Sequence, residues 1–87
     1  MNYHVPKNTM TRTLEDGTIA LDADSGRYIV LNEVGGRIWE LLTAGESTER
    51  IIQILEAEYD APHDTIQSDL EGLLVELAQR GMVLLEE

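Results

Sequence analysis

The chain has 87 residues, of which 43% are hydrophobic and 26% are charged, and its 17 acidic and 6 basic residues give a formal net charge of −11. Area scaling indicates that a chain of this length buries about 64% of its unfolded surface on folding, so we expect a single domain over residues 1–87 with no deeply enclosed active site. The absence of cysteine excludes a disulfide framework, a thiolate metal site and a cysteine nucleophile, and the negative charge disfavours binding to phosphate backbones.

Three strands are predicted in the first third of the chain. Residues 9–14 alternate threonines with larger side chains, which is typical of a half-exposed strand. Asp16-Gly17 indicates a tight turn before a second strand from Thr18 to Asp22. The third strand, Arg27 to Leu31, is rich in β-branched and aromatic residues and carries large apolar groups on both faces.

Three helices are predicted in the rest of the chain. Asn32 is a good N-cap for the first helix, and Ser47 can cap the second. Pro62 fits the first turn of the third helix, which runs to about Arg80. The apolar tail from Met82 to Leu85 is expected to pack back on the sheet or the helices.

This order of elements predicts an α+β fold of the winged helix-turn-helix type. A three-stranded antiparallel sheet over about residues 9–31 precedes three helices over about residues 32–80. In the first helix the apolar stripe includes Ile38 and Leu42, with Trp39 on its flank. Gly35 and Gly36 each cost that helix about 1 kcal/mol relative to Ala, so they indicate a close approach to another element. Tight packing on the sheet is the favoured explanation, and a functional contact is the alternative.

The pattern of residues offers no support for catalysis. His4 and His63 have no second histidine or cysteine at metal-ligand spacing, and no phosphate-binding loop or nucleophile elbow is present. Paired carboxylates such as Asp22 and Asp24 are expected to be solvated. A catalytic carboxyl group with a raised pKa would need a dry pocket, which a domain of this size can hardly build. We therefore predict a protein that is not an enzyme and binds no cofactor and no metal.

The sequence also gives expectations about location and nucleic acid. The longest apolar run, Met82 to Leu85, is too short to span a membrane, and the first ten residues do not resemble a signal peptide. We expect a cytoplasmic protein that contacts no membrane. The third helix carries more acidic than basic residues, so we expect no nucleic-acid partner. A winged-helix DNA-binding regulator is kept as an alternative function.

The third predicted strand is a candidate for peptide binding. Consecutive hairpins leave each outer strand of a sheet with one free edge, and an extended peptide can pair with such an edge. Natural proteins usually protect edges with charge or proline, whereas this strand has only Arg27. Two alternatives remain open, in which Tyr28 and Val30 are covered either by the tail of the chain or by a second copy in a homodimer.

A long stretch of the chain resembles a known family. Residues 26–42, GRYIVLNEVGGRIWELL, are similar to the small proteins typified by the pyrroloquinoline-quinone biosynthesis D protein, and especially to the stand-alone form found in lasso-peptide biosynthesis. The later pattern agrees, with Tyr59-Asp60, Asp69-Leu70, the leucines Leu73, Leu74 and Leu77, and the exit Gly81-Met82-Val83. The resemblance covers roughly residues 17–85.

The resemblance implies a non-catalytic recognition element for ribosomally made peptides. Such a domain binds the leader segment of a precursor peptide and delivers it to processing enzymes. In the lasso case these are a leader-removing protease and then a ring-closing cyclase. The protein itself is expected to be a monomer or a weak homodimer, with a bare dimerisation module as a further alternative.

The resemblance also implies a binding site. The leader would lie antiparallel to the third strand, in the groove between that strand and the third helix, and would pair with the backbone of residues 27–31. A Tyr and a Pro of the leader would enter apolar pockets formed by Tyr28, Val30, Leu73, Leu74 and Leu77. Asp69 and Glu76 would meet basic leader residues at the rim, a role that their charge permits. The predicted leader-binding residues are Arg27, Tyr28, Ile29, Val30, Leu31, Asp69, Leu73, Leu74, Glu76 and Leu77.

Overall fold

The computed structural model describes residues 2–86 and confirms the predicted α+β class. A three-stranded antiparallel sheet is followed by three helices, and two short terminal strands pair with each other. The elements are β1 (Asn2–His4), β2 (Thr9–Leu14), β3 (Gly17–Asp22), β4 (Tyr28–Leu31), α1 (Glu33–Thr43), α2 (Thr48–Tyr59), α3 (His63–Gln79) and β5 (Leu84–Glu86).

The main sheet has the strand order β2-β3-β4, with β3 in the centre. Burial alternates along β4, because successive side chains of a strand point to opposite faces. Ile29 and Leu31 retain 5% of their exposure and face the core, where Ala20 of β3 lies opposite Ile29. Tyr28 and Val30 point to the outer face. The sheet therefore covers the helices with one face and presents the other to solvent.

Two helices begin at the predicted N-caps, and α3 begins at His63, one residue after the Pro62 predicted for its first turn. The side chain of Asn32 accepts a hydrogen bond from the backbone N–H of Gly35 at 2.8 Å, and Ser47 accepts one from Arg50 at 3.1 Å. A Cβ added to Gly36 would collide with the side chain of Thr18, so α1 lies directly against β3. Tight helix-on-sheet packing, the favoured explanation of this glycine, is confirmed.

Trp39, beside the apolar stripe of α1, is fully buried, and its indole N–H donates a 2.9 Å hydrogen bond to the hydroxyl oxygen of Thr11 on β2. One expectation about a single side chain is wrong, because Asp22 is not solvated but only 6% exposed. Its carboxylate accepts hydrogen bonds from the hydroxyl of Ser25 and the backbone N–H of Asp24, and so holds the turn that leads into β4.

The two ends of the described chain form a separate ribbon. β1 and β5 pair antiparallel, with Tyr3 opposite Leu85. The hydroxyl of Tyr3 donates to the carbonyl oxygens of Leu42, at 3.2 Å, and Glu46, which ties the ribbon to the end of α1. Met82 and Val83 fill the core before β5 begins. The tail therefore lies with the N-terminal strand, away from β4. Within residues 2–86, no helix combines the length and apolar character needed to cross a membrane.

Candidate functional site

The outer edge of β4 has no backbone partner within the described part of the chain. β4 pairs with β3 from Tyr28 opposite Leu21 to Leu31 opposite Thr18, and residues 2–86 place no strand on its other side. The alternative in which the tail of the chain covers this edge is wrong, because Leu84–Glu86 pair with β1. The edge is therefore available for an added strand.

Alternate residues of β4 direct their backbone groups to this edge. The N–H of Asp22 donates to the carbonyl oxygen of Arg27 at 2.8 Å, which makes these two a hydrogen-bonded pair. Since such pairs alternate along an antiparallel ladder, Ile29 and Leu31 also bond to β3. The N–H and C=O groups of Tyr28 and Val30 then point away from β3. Among the residues 27–31 that are predicted to pair with a leader, Tyr28 and Val30 therefore have their backbone groups at the free edge.

The side chains of β4 divide between the two faces of the sheet. Tyr28 and Val30 are 60% and 62% exposed on the outer face, while Ile29 and Leu31 are buried on the inner face. A strand added to β4 would alternate in the same way, with every second side chain beside Tyr28 and Val30 and the others on the α3 side.

One face of α3 borders the groove beside β4. Asp69, Leu73, Glu76 and Arg80 follow one another at spacings of four, three and four residues, so they lie on one stripe of the helix. Leu73 is half-buried, and the other three are exposed. The groove opens at its wider end into a cleft of about 720 Å³, lined by Gly26, Arg27, Tyr28, Ile29, Val30, Glu76, Gln79 and Arg80.

Two predicted site residues lie elsewhere. Leu74 and Leu77 have no exposed surface and belong to the core. Leu74 also borders the separate cleft between α2 and α3. Both side chains pack α3 against the core. Of the three predicted leucines, only Leu73 lies on the stripe that borders the groove.

An apolar recess of about 70 Å³ lies between α1, the end of α2 and the first turns of α3. Its lining includes no residue of β4, but Val34 follows the last residue of β4 by three positions. Its walls include Val34, Tyr59 and Ile66, and Asp69 stands beside them. No sequence pattern indicated this recess, because its walls come from α1, the end of α2 and α3.

Arg27 connects the two sides of the groove at its wider end. Its Nη1 donates a 3.1 Å hydrogen bond to the carbonyl oxygen of Arg80, just after α3 ends. A Cβ at Gly81 would collide with this guanidinium, and the φ of +73° at Gly81 also favours glycine. Arg27 therefore fixes the start of β4 relative to the end of α3.

The charged groups nearest the cleft are loosely held. Nη2 of Arg80 lies 3.4 Å from Oε1 of Glu76, and both side chains are half exposed. A stronger ion pair lies elsewhere, where Arg37 bonds Glu58 through two nitrogens and holds the pKa of that carboxyl below its ordinary value of 4.5. Among residues 2–86, no group of three His, Cys, Asp or Glu side chains is arranged to hold a metal ion.

Comparisons with known proteins agree on one family. The family model described as coenzyme PQQ synthesis protein D (PqqD) matches residues 17–83. A solved structure described as TbiB1 in complex with the TbiA(beta) leader peptide is 30% identical, with a TM-score of 0.80 over 91% of this chain and 92% of that one. A lasso peptide synthetase B1 complexed with the leader peptide is 26% identical, with a TM-score of 0.79 over 95% and 98% of the two chains. A comparison with curated proteins gave no match.

Proposed function

This chain belongs to the PqqD family, and we propose that it binds the leader segment of a ribosomally made precursor peptide, in the first place a lasso-peptide precursor. The observation that carries the proposal is the unpaired edge of β4, where Tyr28 and Val30 offer two N–H and two C=O groups. Peptide recognition by strand addition uses groups of this kind for affinity and adjacent pockets for selectivity. Two structures similar to this chain are complexes with leader peptides.

The leader lies antiparallel to β4 in this proposal. Because β4 begins beside the end of α3 and leads into α1, where Val34 lines the recess, the N-terminal part of the leader reaches the apolar recess and its C-terminal part reaches Arg27. Inward leader side chains contact Leu73, with Leu74 and Leu77 beneath. Outward ones lie beside Tyr28 and Val30. The recess is suited to an apolar or aromatic anchor such as the Tyr or Pro of lasso leaders.

The proposal includes a place in a processing sequence. The chain acts as one domain and carries out no chemistry itself. It holds the leader in the cytoplasm for a leader-removing protease and, in a lasso system, a ring-closing cyclase. The negative charge and exposed acidic residues such as Asp69 support a protein or peptide partner over nucleic acid.

Calorimetry with synthetic leaders of lasso-peptide precursors, beginning with the TbiA(beta) leader that is bound in a similar structure, tests the proposal. We expect micromolar or tighter binding, with amide chemical-shift changes along β4 and the α3 stripe. Methylating leader backbone nitrogens one at a time gives a sharper result, because only every second N–H of an added strand faces β4. Loss of binding should alternate along the leader. Absence of binding, or a response confined to α2 or β1, would contradict strand addition to β4.

A homodimer paired through the same edge is the second candidate. The exposure of Tyr28 and Val30 favours it, because an uncovered edge can pair with its own copy. Light scattering with and without leader distinguishes the two functions. A dimer that persists with bound leader, or excludes it, would assign the edge to self-association.

A further inference from the structure

The charges at the two ends of the groove point to a preference in the bound peptide. We propose that the wider end, where Arg27 and Arg80 lie, selects a carboxylate on the peptide, placed about four to six residues C-terminal to the side chain held in the apolar recess. This inference rests on the proposed binding of a leader by strand addition to β4. It adds the class of side chain that the groove distinguishes and the position of that side chain.

The wider end differs in charge from the rest of the molecule. The chain carries only 6 basic residues against 17 acidic ones. Yet the cleft between β4 and α3 is lined by two arginines, Arg27 and Arg80, and one acidic residue, Glu76. A local excess of positive charge within an acidic protein favours a carboxylate at this point and disfavours a lysine.

Arg27 is held in a position suited to this contact. Its guanidinium makes one hydrogen bond within residues 2–86, from Nη1 to the carbonyl oxygen of Arg80. A guanidinium has five N–H donors in a planar fork, so donors remain for a peptide carboxylate. Because the existing bond and the close approach of Gly81 restrain the side chain, less conformational entropy is lost on binding than for a freely moving arginine.

Arg80 is also available. The distance of 3.4 Å between its Nη2 and Oε1 of Glu76 is long for a charge-assisted hydrogen bond, and exposed pairs of this kind are weak. A peptide carboxylate can therefore compete with Glu76 for Arg80. This arrangement differs from the rim role predicted for Glu76, since its charge is opposed at this end by two arginines.

The spacing follows from strand geometry. In an antiparallel pair the peptide residues opposite Leu31 and Arg27 are about four positions apart, or about 13 Å. Val34, which follows Leu31 by three residues, lines the recess, and Arg27 and Arg80 line the cleft at the other end of β4. The anchor therefore comes first in the peptide and the carboxylate follows it. An acidic residue placed before the anchor would lie near Asp69 and be repelled.

Selection from a displayed library of random short peptides tests the inference without knowledge of the natural precursor. Binders are collected on the wild-type protein and eluted with the synthetic leader. We expect Asp or Glu to be enriched at the stated spacing after an aromatic or apolar residue. If the peptides that the leader elutes show no such enrichment, the carboxylate preference is wrong, while the proposed leader binding still stands. A protein that binds neither library peptides nor the leader would contradict the proposed function itself.

Substitutions then assign the effect to the groove end. The first substitution is made in the peptide, where Asp is replaced by Asn or Glu by Gln, so that the protein is unchanged. We expect the affinity for the peptide to fall by about 3- to 10-fold. Arg80→Gln should weaken the acidic peptide similarly and the amide peptide hardly at all, while Arg27→Lys should retain part of the preference. Arg50→Gln is the matched control, because it makes the same charge change on the exposed surface of α2. Equal losses for Arg50→Gln and Arg80→Gln would reduce the effect to net charge and refute a local site.

Discussion

Replacing Val30 by proline tests the claim that alternate backbone groups of β4 receive the leader. The N–H of Val30 points to the free edge, so proline at this position leaves the hydrogen bonds between β3 and β4 in place. It removes one donor to the bound peptide and leaves a carbonyl of that peptide without a partner. The expected cost is about 1–3 kcal/mol of binding free energy, or about 5- to 150-fold in affinity.

The opposite edge of the sheet provides a matched control for this substitution. The N–H of Ala23 donates to the carbonyl oxygen of Asn8, and from this pair the alternation places the backbone groups of Thr13 on the free side of β2. Thr13→Pro therefore makes the same backbone change at an exposed position that is remote from the groove.

Calorimetry with the leader, together with the unfolding midpoint of each variant, gives the result. We expect Val30→Pro to weaken binding strongly, Thr13→Pro to leave it unchanged, and the two variants to have similar stability. Equal affinity for both variants would refute the assignment of the Val30 N–H to the leader. If Val30→Pro loses β-structure, methylation of the facing nitrogen in the leader tests the same hydrogen-bond pattern in the unchanged protein.

Three further changes have defined outcomes. Leu73→Glu should abolish detectable leader binding while circular dichroism stays helical, because a charge would replace the apolar side chain on the groove stripe. Thr11→Val should destabilise the protein by about 1–3 kcal/mol in denaturant unfolding, since the buried indole N–H of Trp39 loses its acceptor. Arg37→Gln should lower the unfolding midpoint near pH 7. Because the Arg37 ion pair lowers the pKa of Glu58 in the folded state, the pair stabilises the fold at pH values above 4.5, the ordinary pKa of this carboxyl group. The difference in unfolding midpoint between Arg37→Gln and wild type should therefore disappear as the pH falls through the folded-state pKa of Glu58.

The contrast between Leu73 and Leu77 shows how far periodicity alone reaches. The spacing of leucines predicts a helix with a broad apolar stripe, and α3 is such a helix. A broad stripe does not fix the rotation of the helix about its axis. That rotation follows from packing against α2 and the rest of the core, which buries Leu74 and Leu77 completely and leaves Leu73 half-buried on the stripe that it shares with Glu76 and Arg80. On that stripe Glu76 lines the cleft beside β4, and Asp69 lines the apolar recess.

Local chemistry in the sequence determined the elements, their order and several of their ends. Alternation of side chains marks β2, β-branched and aromatic residues mark β4, and the hydrogen-bonding side chains of Asn32 and Ser47 start two helices, because each of these effects acts within a few residues. The close approach at Gly36 was also visible, since glycine is costly inside a helix without such a reason.

Only the tertiary structure decided what depends on partners distant in the chain. The pairing of β1 with β5 joins residues 80 to 84 positions apart, and it takes the tail away from the edge of β4. The burial of Asp22 depends on the register of β3 with the neighbouring strands. The same register decides that the backbone N–H and C=O groups of Tyr28 and Val30 face the free edge. Sequence periodicity carries no record of such contacts, because it describes which faces are apolar and not which element each face meets.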